Sequence, residues 1–172
     1  MMKLRLLKKK DKVYYYLKKI KLCPYGYTQV ILSPPIFKGH PMPNIFWLVC
    51  PYLLKQVSYL EEKGYIKKFE EKLKNDPLFL ENYILAHEEE KRIRKKLIDL
   101  YFKEEFNNLK EKEKKVLIES GIGGIKSYFG VKCLHLHLAS FLGGIKNPIG
   151  LEVFLSLKQT YCSDINCSNF SL

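Results

Sequence analysis

The sequence lacks an apolar run long enough to cross a bilayer. Its most apolar window, Pro43 to Leu54, stops far short of the roughly 20 residues that a helical span needs. Basic residues near the start (Lys3, Arg5, Lys8, Lys9 and Lys10) are not followed by an apolar h-region, so a signal peptide is not expected. There is no repeat with a period of 20–50 residues, which argues against a solenoid. No Cys-x-x-Cys pair occurs, and Gly121-Ile122-Gly123-Gly124 lacks both the lysine of a P-loop and the spacing of a dinucleotide fingerprint. That stretch reads as a hinge or tight turn. A cytoplasmic protein is the expectation that follows.

What is present supports a single folded domain. The chain has 172 residues, 47% of them hydrophobic, with 12 Tyr and 10 Phe. Such a composition supplies a core and excludes wholesale disorder. The net charge of +12 is uneven: residues 1–21 hold nine basic side chains against one acid, Asp11. A basic arm of this kind attracts nucleic acid or another polyanion, although lysine also serves as generic surface. The expected division is a basic arm and first strand over residues 1–22, one domain over 23–160 and a tail over 161–172.

Periodicity changes along the chain. Residues 13–50 read as strand-rich, with strands within 13–22, at Thr28–Leu32 and at Ile45–Val49, and with Cys23-Pro24-Tyr25-Gly26 as a turn. Pro34, Pro35, Pro41 and Pro43 stiffen the loop that carries His40, which should be exposed. From Pro51 the period is helical. Leu53, Leu54, Val57 and Leu60 mark one face, and Gly64 marks the stop. Further helices are predicted over about 66–74, from Pro77 to about 106, over 131–142 and from Asn147-Pro148 to about 160. Residues 107–115 read as a polar linker or helix end. The charged run from Glu88 to Lys96 reads as a solvated face with i,i+4 pairs such as Glu88–Arg92 and Glu90–Arg94. The fold class is therefore α+β with helices dominant.

Chemistry, if present, belongs to cysteine and histidine. Five cysteines (Cys23, Cys50, Cys133, Cys162 and Cys167) make an odd count, and a reducing compartment keeps them as thiols, metal ligands or nucleophiles. Cys23 and Cys50 each precede a proline at the end of a predicted strand. Cys133 opens a predicted helix, where the dipole favours thiolate, and is followed by His135 and His137. On a helix Cys133 and His137 share a face while His135 points away. Cys23, Cys50 and Cys133 with His135, Cys162 or Cys167 form a candidate set for zinc or an iron–sulfur cluster, beside the reading that the cysteines are small core hydrophobes. A second reading makes Cys133 or His135 catalytic, with Lys132 or His87 holding an anionic substrate. His87, on the apolar side of its helix, also reads as a hydrogen-bonded core residue.

Taken in order, Cys23-Pro24-Tyr25-Gly26, Pro41-Met42-Pro43, Phe46-Trp47-Leu48-Val49-Cys50-Pro51, Ala86-His87, Gly121-Ile122-Gly123-Gly124, Val131-Lys132-Cys133-Leu134-His135 and Asn147-Pro148-Ile149-Gly150 resemble the uncharacterised bacterial family of domain of unknown function 501. The resemblance runs from Cys23 to Gly150. It implies a bacterial cytoplasmic protein with no established activity, and it carries over Cys23, Cys50, His87, Lys132, Cys133 and His135. The family pattern permits His at position 50, which favours a ligand there. His137 and the basic arm lie outside the pattern, and Ser140 stands where His is common.

Overall fold

The computed structural model describes residues 3–9, 12–164 and 167, and gives the backbone but not the side chain of Lys9. Among the described residues, seven short strands precede seven α-helices. Strands β1 (Arg5–Lys9) and β2 (Lys12–Tyr16) form an antiparallel hairpin. Strands β3 (Lys18–Leu22), β4 (Thr28–Leu32) and β7 (Phe46–Leu48) form an antiparallel sheet in the order β3-β4-β7, and β5 (Ile36–Phe37) pairs with β6 (His40–Pro41). The helices are α1 (Pro51–Glu62), α2 (Tyr65–Asn75), α3 (Pro77–Tyr101), α4 (Lys103–Asn107), α5 (Glu111–Glu119), α6 (Leu134–Leu142) and α7 (Pro148–Ser156). The structure is thus helix-dominated α+β. None of its helices is long and apolar enough to cross a membrane.

Local signals set the boundaries. Pro51, Pro77 and Pro148 open α1, α3 and α7, at positions where a missing N–H costs nothing. Asp76 and Asn147 cap the latter two through the N–H groups of Phe79 (2.9 Å) and Gly150 (3.0 Å). The Cys23–Gly26 turn closes with Gly26 N–H donating to the Cys23 carbonyl, and Gly26 takes a φ of 81° that a side chain would resist.

The core lies where β4 and α6 meet the faces of α1, α3 and α7. Every residue of β4 is buried, as are Leu53 and Val57 of α1, Leu134 and Leu138 of α6, and Ile149 and Val153 of α7. Helices α6 and α7 approach so closely that a Cβ on Gly150 would sit 2.2 Å from the His137 carbonyl oxygen. A side chain at that position would force the two helices apart.

Several expectations are corrected. Residues Arg5–Lys9 form a strand, so the basic arm is a hairpin. The expected linker at 107–115 contains the start of α5, a charged helix whose buried residue is Leu117 alone. Helix α7 ends at Ser156, four residues early. The long helix breaks at Phe102. Most of the tail beyond 164 falls outside the described residues.

The charged run of α3 is not uniformly solvated. Lys91 pairs with Glu88 and Arg92 with Glu89, both at i,i+3, whereas Glu90 and Arg94 are buried. Arg94 donates to carbonyls, not to Glu90: to Leu117 at 2.6 Å, and to Pro43 and Ser120. A planar fork of five donors suits this gathering of separate main-chain acceptors. With Tyr83, His87 and Glu90 it forms a polar stripe down the buried side of α3 at helical spacing.

Arg94→Met fills much of the same volume but leaves three carbonyls without their donor. Each unsatisfied buried group costs about 1–3 kcal/mol, so the variant should lose at least ~3 kcal/mol in urea unfolding followed by circular dichroism. A loss below about 1 kcal/mol would show that water replaces the guanidinium.

Candidate metal centre

Residues 120–133 contain no long helix or strand, so their main-chain groups need partners from elsewhere. Side chains supply them. Asn44 Oδ1 accepts from Gly123 N–H (2.8 Å), His87 Nδ1 from Ile122 N–H (2.9 Å) and Glu70 Oε1 from Val131 N–H (3.1 Å), while Tyr83 donates to the Gly130 carbonyl (2.9 Å). The glycine string is a tight 3-10 turn at Ile122–Gly124, as expected. A Cβ on Gly121 would lie 2.0 Å from His87 Nδ1, so glycine is what lets the turn reach the imidazole.

This frame delivers Cys133 to the N-cap of α6. Cys133 is extended there (φ −160°, ψ 120°) and its side chain does not cap the helix. Helical face rules therefore do not apply to it, and the shared face with His137 expected from helical spacing does not form. His135 is the partner: its Nδ1 lies 3.4 Å from Cys133 Sγ and 3.2 Å from Oε1 of Glu61, in the last turn of α1. The same Glu61 oxygen accepts the Leu134 N–H at 2.7 Å, so one carboxylate caps α6 and faces the imidazole. Nε2 of His135 lies 3.0 Å from the Leu54 carbonyl and 3.3 Å from Ser58 Oγ. A carbonyl only accepts, so Nε2 carries a proton there, and Nδ1 is the ring nitrogen that faces sulfur and carboxylate. Burial disfavours the imidazolium, yet Cys133, the Leu54 carbonyl and Glu61 together outweigh it and hold the His135 pKa above its ordinary value. The side chains of His135 and Glu61 remain 19% and 24% exposed, so the group is open to water on one side.

Glu61, Cys133 and His135 are the one set of three or more metal-capable side chains within reach of a single ion among the described residues, their donor atoms all lying within 4.8 Å of one another. The other sequence candidates lie elsewhere. Cys23 lines a cavity of about 610 Å³ with Leu53, Phe141 and Phe154. Cys50 is the buried N-cap of α1, and Cys162 and Cys167 are buried. No disulfide joins the five. Lys132 is exposed, and His40 is exposed as expected.

Glu61 was not visible to sequence reasoning, since Glu61-Glu62-Lys63 at a helix end has the composition of surface.

His87 and His137 form a second, interior group whose ring centroids are 5.9 Å apart. His137 Nδ1 lies 3.0 Å from Asn147 Nδ2, which donates to it. Burial, aided by the Lys91 charge, lowers His87 to about 3; burial and its neighbour His87 do the same to His137. His87 Nε2 has no hydrogen-bond acceptor among the described residues and sits among the rings of Tyr83, Tyr128 and His137. Both rings are buried.

The frame and the Cys/His/Glu cluster define an α+β protein with a small, partly open donor site. The sequence profile of a family described as protein of unknown function (DUF501) matches residues 19–155, most of the chain. The chain belongs to that family. No curated protein and no solved structure matches it.

The interior histidines predict acid sensitivity. The unfolded chain protonates His87 near pH 6.5, while the folded protein resists until about pH 3. The stability this group contributes is therefore full above pH 6.5 and is lost as pH falls toward 3. His135 and Glu90, both raised, act in the opposite sense, so a variant isolates the effect. His87→Gln should be markedly less stable than the parent at pH 7, and the gap should shrink by on the order of 2 kcal/mol at pH 5, read from urea unfolding at both values. A gap independent of pH would mean that His87 titrates normally.

Proposed function

We propose that the protein binds one zinc ion through Cys133 Sγ, His135 Nδ1 and a Glu61 carboxylate oxygen. The supporting observation is the convergence of three electron-rich atoms on one point, with the opposite nitrogen of His135 fixed on the Leu54 carbonyl. A carboxylate facing an imidazole lone pair needs a cation between them, either a proton or a metal. A ring N–H held by a carbonyl is the usual outer-shell arrangement of metal-binding histidines.

The spacing fits. With ordinary zinc bond lengths, tetrahedral S–N and N–O edges are about 3.6 and 3.3 Å, against 3.4 and 3.2 Å here. A mixed S, N, O donor set suits zinc, whereas iron–sulfur clusters take mostly thiolates. Three protein ligands with an open side are the pattern of sites that keep a water or substrate on the metal. A thiolate ligand is readily kept in a reducing compartment, which supports a cytoplasmic location.

The alternative use of the same pair is nucleophilic: His135 Nδ1 would take the Cys133 proton while the Leu54 carbonyl orients the ring. It is the weaker reading because sulfur and Glu61 share one nitrogen, where a base needs only the nucleophile.

Untagged protein stripped with a chelator should take up one zinc per chain in competition with a chromophoric chelator. Cys133→Ser, His135→Ala and Glu61→Gln should each weaken binding by more than the ~10–100-fold typical of an outer-shell change, and Ser58→Ala by about tenfold. Cobalt should give a thiolate-to-metal band that Cys133→Ser abolishes. Unchanged zinc affinity in all three ligand variants, with folded spectra, would overturn the site. Fast alkylation of Cys133 unaffected by zinc would favour the nucleophilic reading.

A further inference from the structure

The strand-rich half of the chain carries almost no negative charge. Asp11 is the only acidic residue before Glu61, whereas eleven lysine and arginine side chains precede it. Lys8, Lys12, Lys18, Lys19 and Lys38 are all exposed.

Between the hairpin and the β5–β7 region lies a groove of about 430 Å³, walled by Tyr14, Tyr15, Phe37, Met42 and Trp47 with Lys12 at its lip. Its rings are fixed in place. The Trp47 indole N–H donates to the Asn44 carbonyl at 2.7 Å, and Tyr15 packs on Phe37 with centroids 4.6 Å apart at 31°. Tyr14 and Trp47 also pack on Leu7, Tyr16, Ile31 and Val49 beneath.

We propose that this aromatic groove, with Lys12 at its lip and Lys38 over the Phe37 ring, binds single-stranded nucleic acid, one base entering the groove while these lysines meet the phosphates. The volume is in the range of small-ligand sites. Base–aromatic stacking combined with backbone neutralisation is how sequence-tolerant single-strand binders work. A duplex keeps its bases stacked and cannot fill a concave aromatic site, so single strands are favoured. The site is separate from Glu61, Cys133 and His135, and does not depend on metal.

Trp47 is the only tryptophan in the chain, so its emission reports the groove directly. Full-length protein is titrated with a labelled oligothymidylate of about 15 nucleotides, with the matching duplex and with phosphatidylserine vesicles, following anisotropy and Trp47 emission. The single strand should quench Trp47 and bind at least about tenfold more tightly than the duplex, with affinity falling steeply as salt rises. Tyr15→Leu, which keeps the apolar wall, should weaken binding about tenfold. Lys12→Gln, at an exposed position, should reduce the salt slope by about 0.7. Equal affinity for duplex and single strand, oligonucleotide binding without a change in Trp47 emission, or vesicles alone altering that emission would each overturn the proposal.

Discussion

A buried guanidinium organises the helical half of this protein. Arg94 sits in the interior and directs its donors to the carbonyls of Pro43, Leu117 and Ser120. Pro43 belongs to the loop entering β7, and the other two close α5. Neither segment has a regular partner for those oxygens, and a charge in the interior persists only where hydrogen bonds satisfy it. The requirement is mutual: the carbonyls need a donor, and the cation needs acceptors on all sides. One turn further toward the start of α3, Glu90 is buried so deeply that its carboxyl is pushed up to about 7 in spite of the nearby Arg94 charge. The interior therefore holds a cation stabilised by carbonyl dipoles more than by a counter-ion.

The same stripe of α3 continues through His87 and Tyr83 to the irregular segment after α5. His87 accepts from Ile122 and Tyr83 donates to Gly130, so successive turns of one helix hold the two ends of a loop. Asn44, Glu70 and Glu61 hold its other amides. That loop ends at Cys133. The position of the thiol is thus set by polar contacts reaching back to α1, α2 and α3, and the long irregular stretch is as constrained as a strand. Glu61 completes the chain of dependence, because the oxygen that fixes the first turn of α6 is also the one facing His135. A substitution there would disturb the helix start and the donor cluster together, which is why a conservative amide is the informative change.

Much of the helical frame was legible in the sequence. The apolar face of α1, the prolines that open α1, α3 and α7, and the glycine turn before Ile125 each follow from a local rule. The fold class followed from where the period changes near Pro51. What escaped notice escaped for physical reasons. Helix α5 is charged almost throughout and is held by Leu117, so no hydrophobic period marks it. Three of the five β1 residues are basic, and its pairing depends on a strand starting at Lys12 that no local sequence rule marks. Glu90 and Arg94 lie within a charged run where composition outweighs spacing. Their alignment with Tyr83 and His87 at intervals of four, three and four was a usable signal, since it puts charges on the side that Leu97 and Ile98 continue. For Cys133, helical geometry pointed to His137 because it was applied to a residue that caps the helix, whereas the family string Lys132-Cys133-Leu134-His135 pointed to His135. Cys23 and Cys50 stood out because prolines follow them, but proline there reflects a turn and a helix start.

The extent of the family match separates the two sites. Glu61, Cys133 and His135 all fall within residues 19–155, together with the stripe of α3 that positions them. The donor cluster and its frame therefore sit in the part of the chain that defines the family, and a role for the cluster is a family-level question. The aromatic groove straddles the boundary. Phe37, Met42 and Trp47 lie inside the match, whereas Lys12, Tyr14 and Tyr15 lie before it. Removing the hairpin from the geometry removes one wall of the groove together with Lys8 and Lys12, leaving Trp47 on an open sheet edge. Binding through that groove is consequently a property that the N-terminal hairpin adds to the family frame, and it requires no change at the donor cluster.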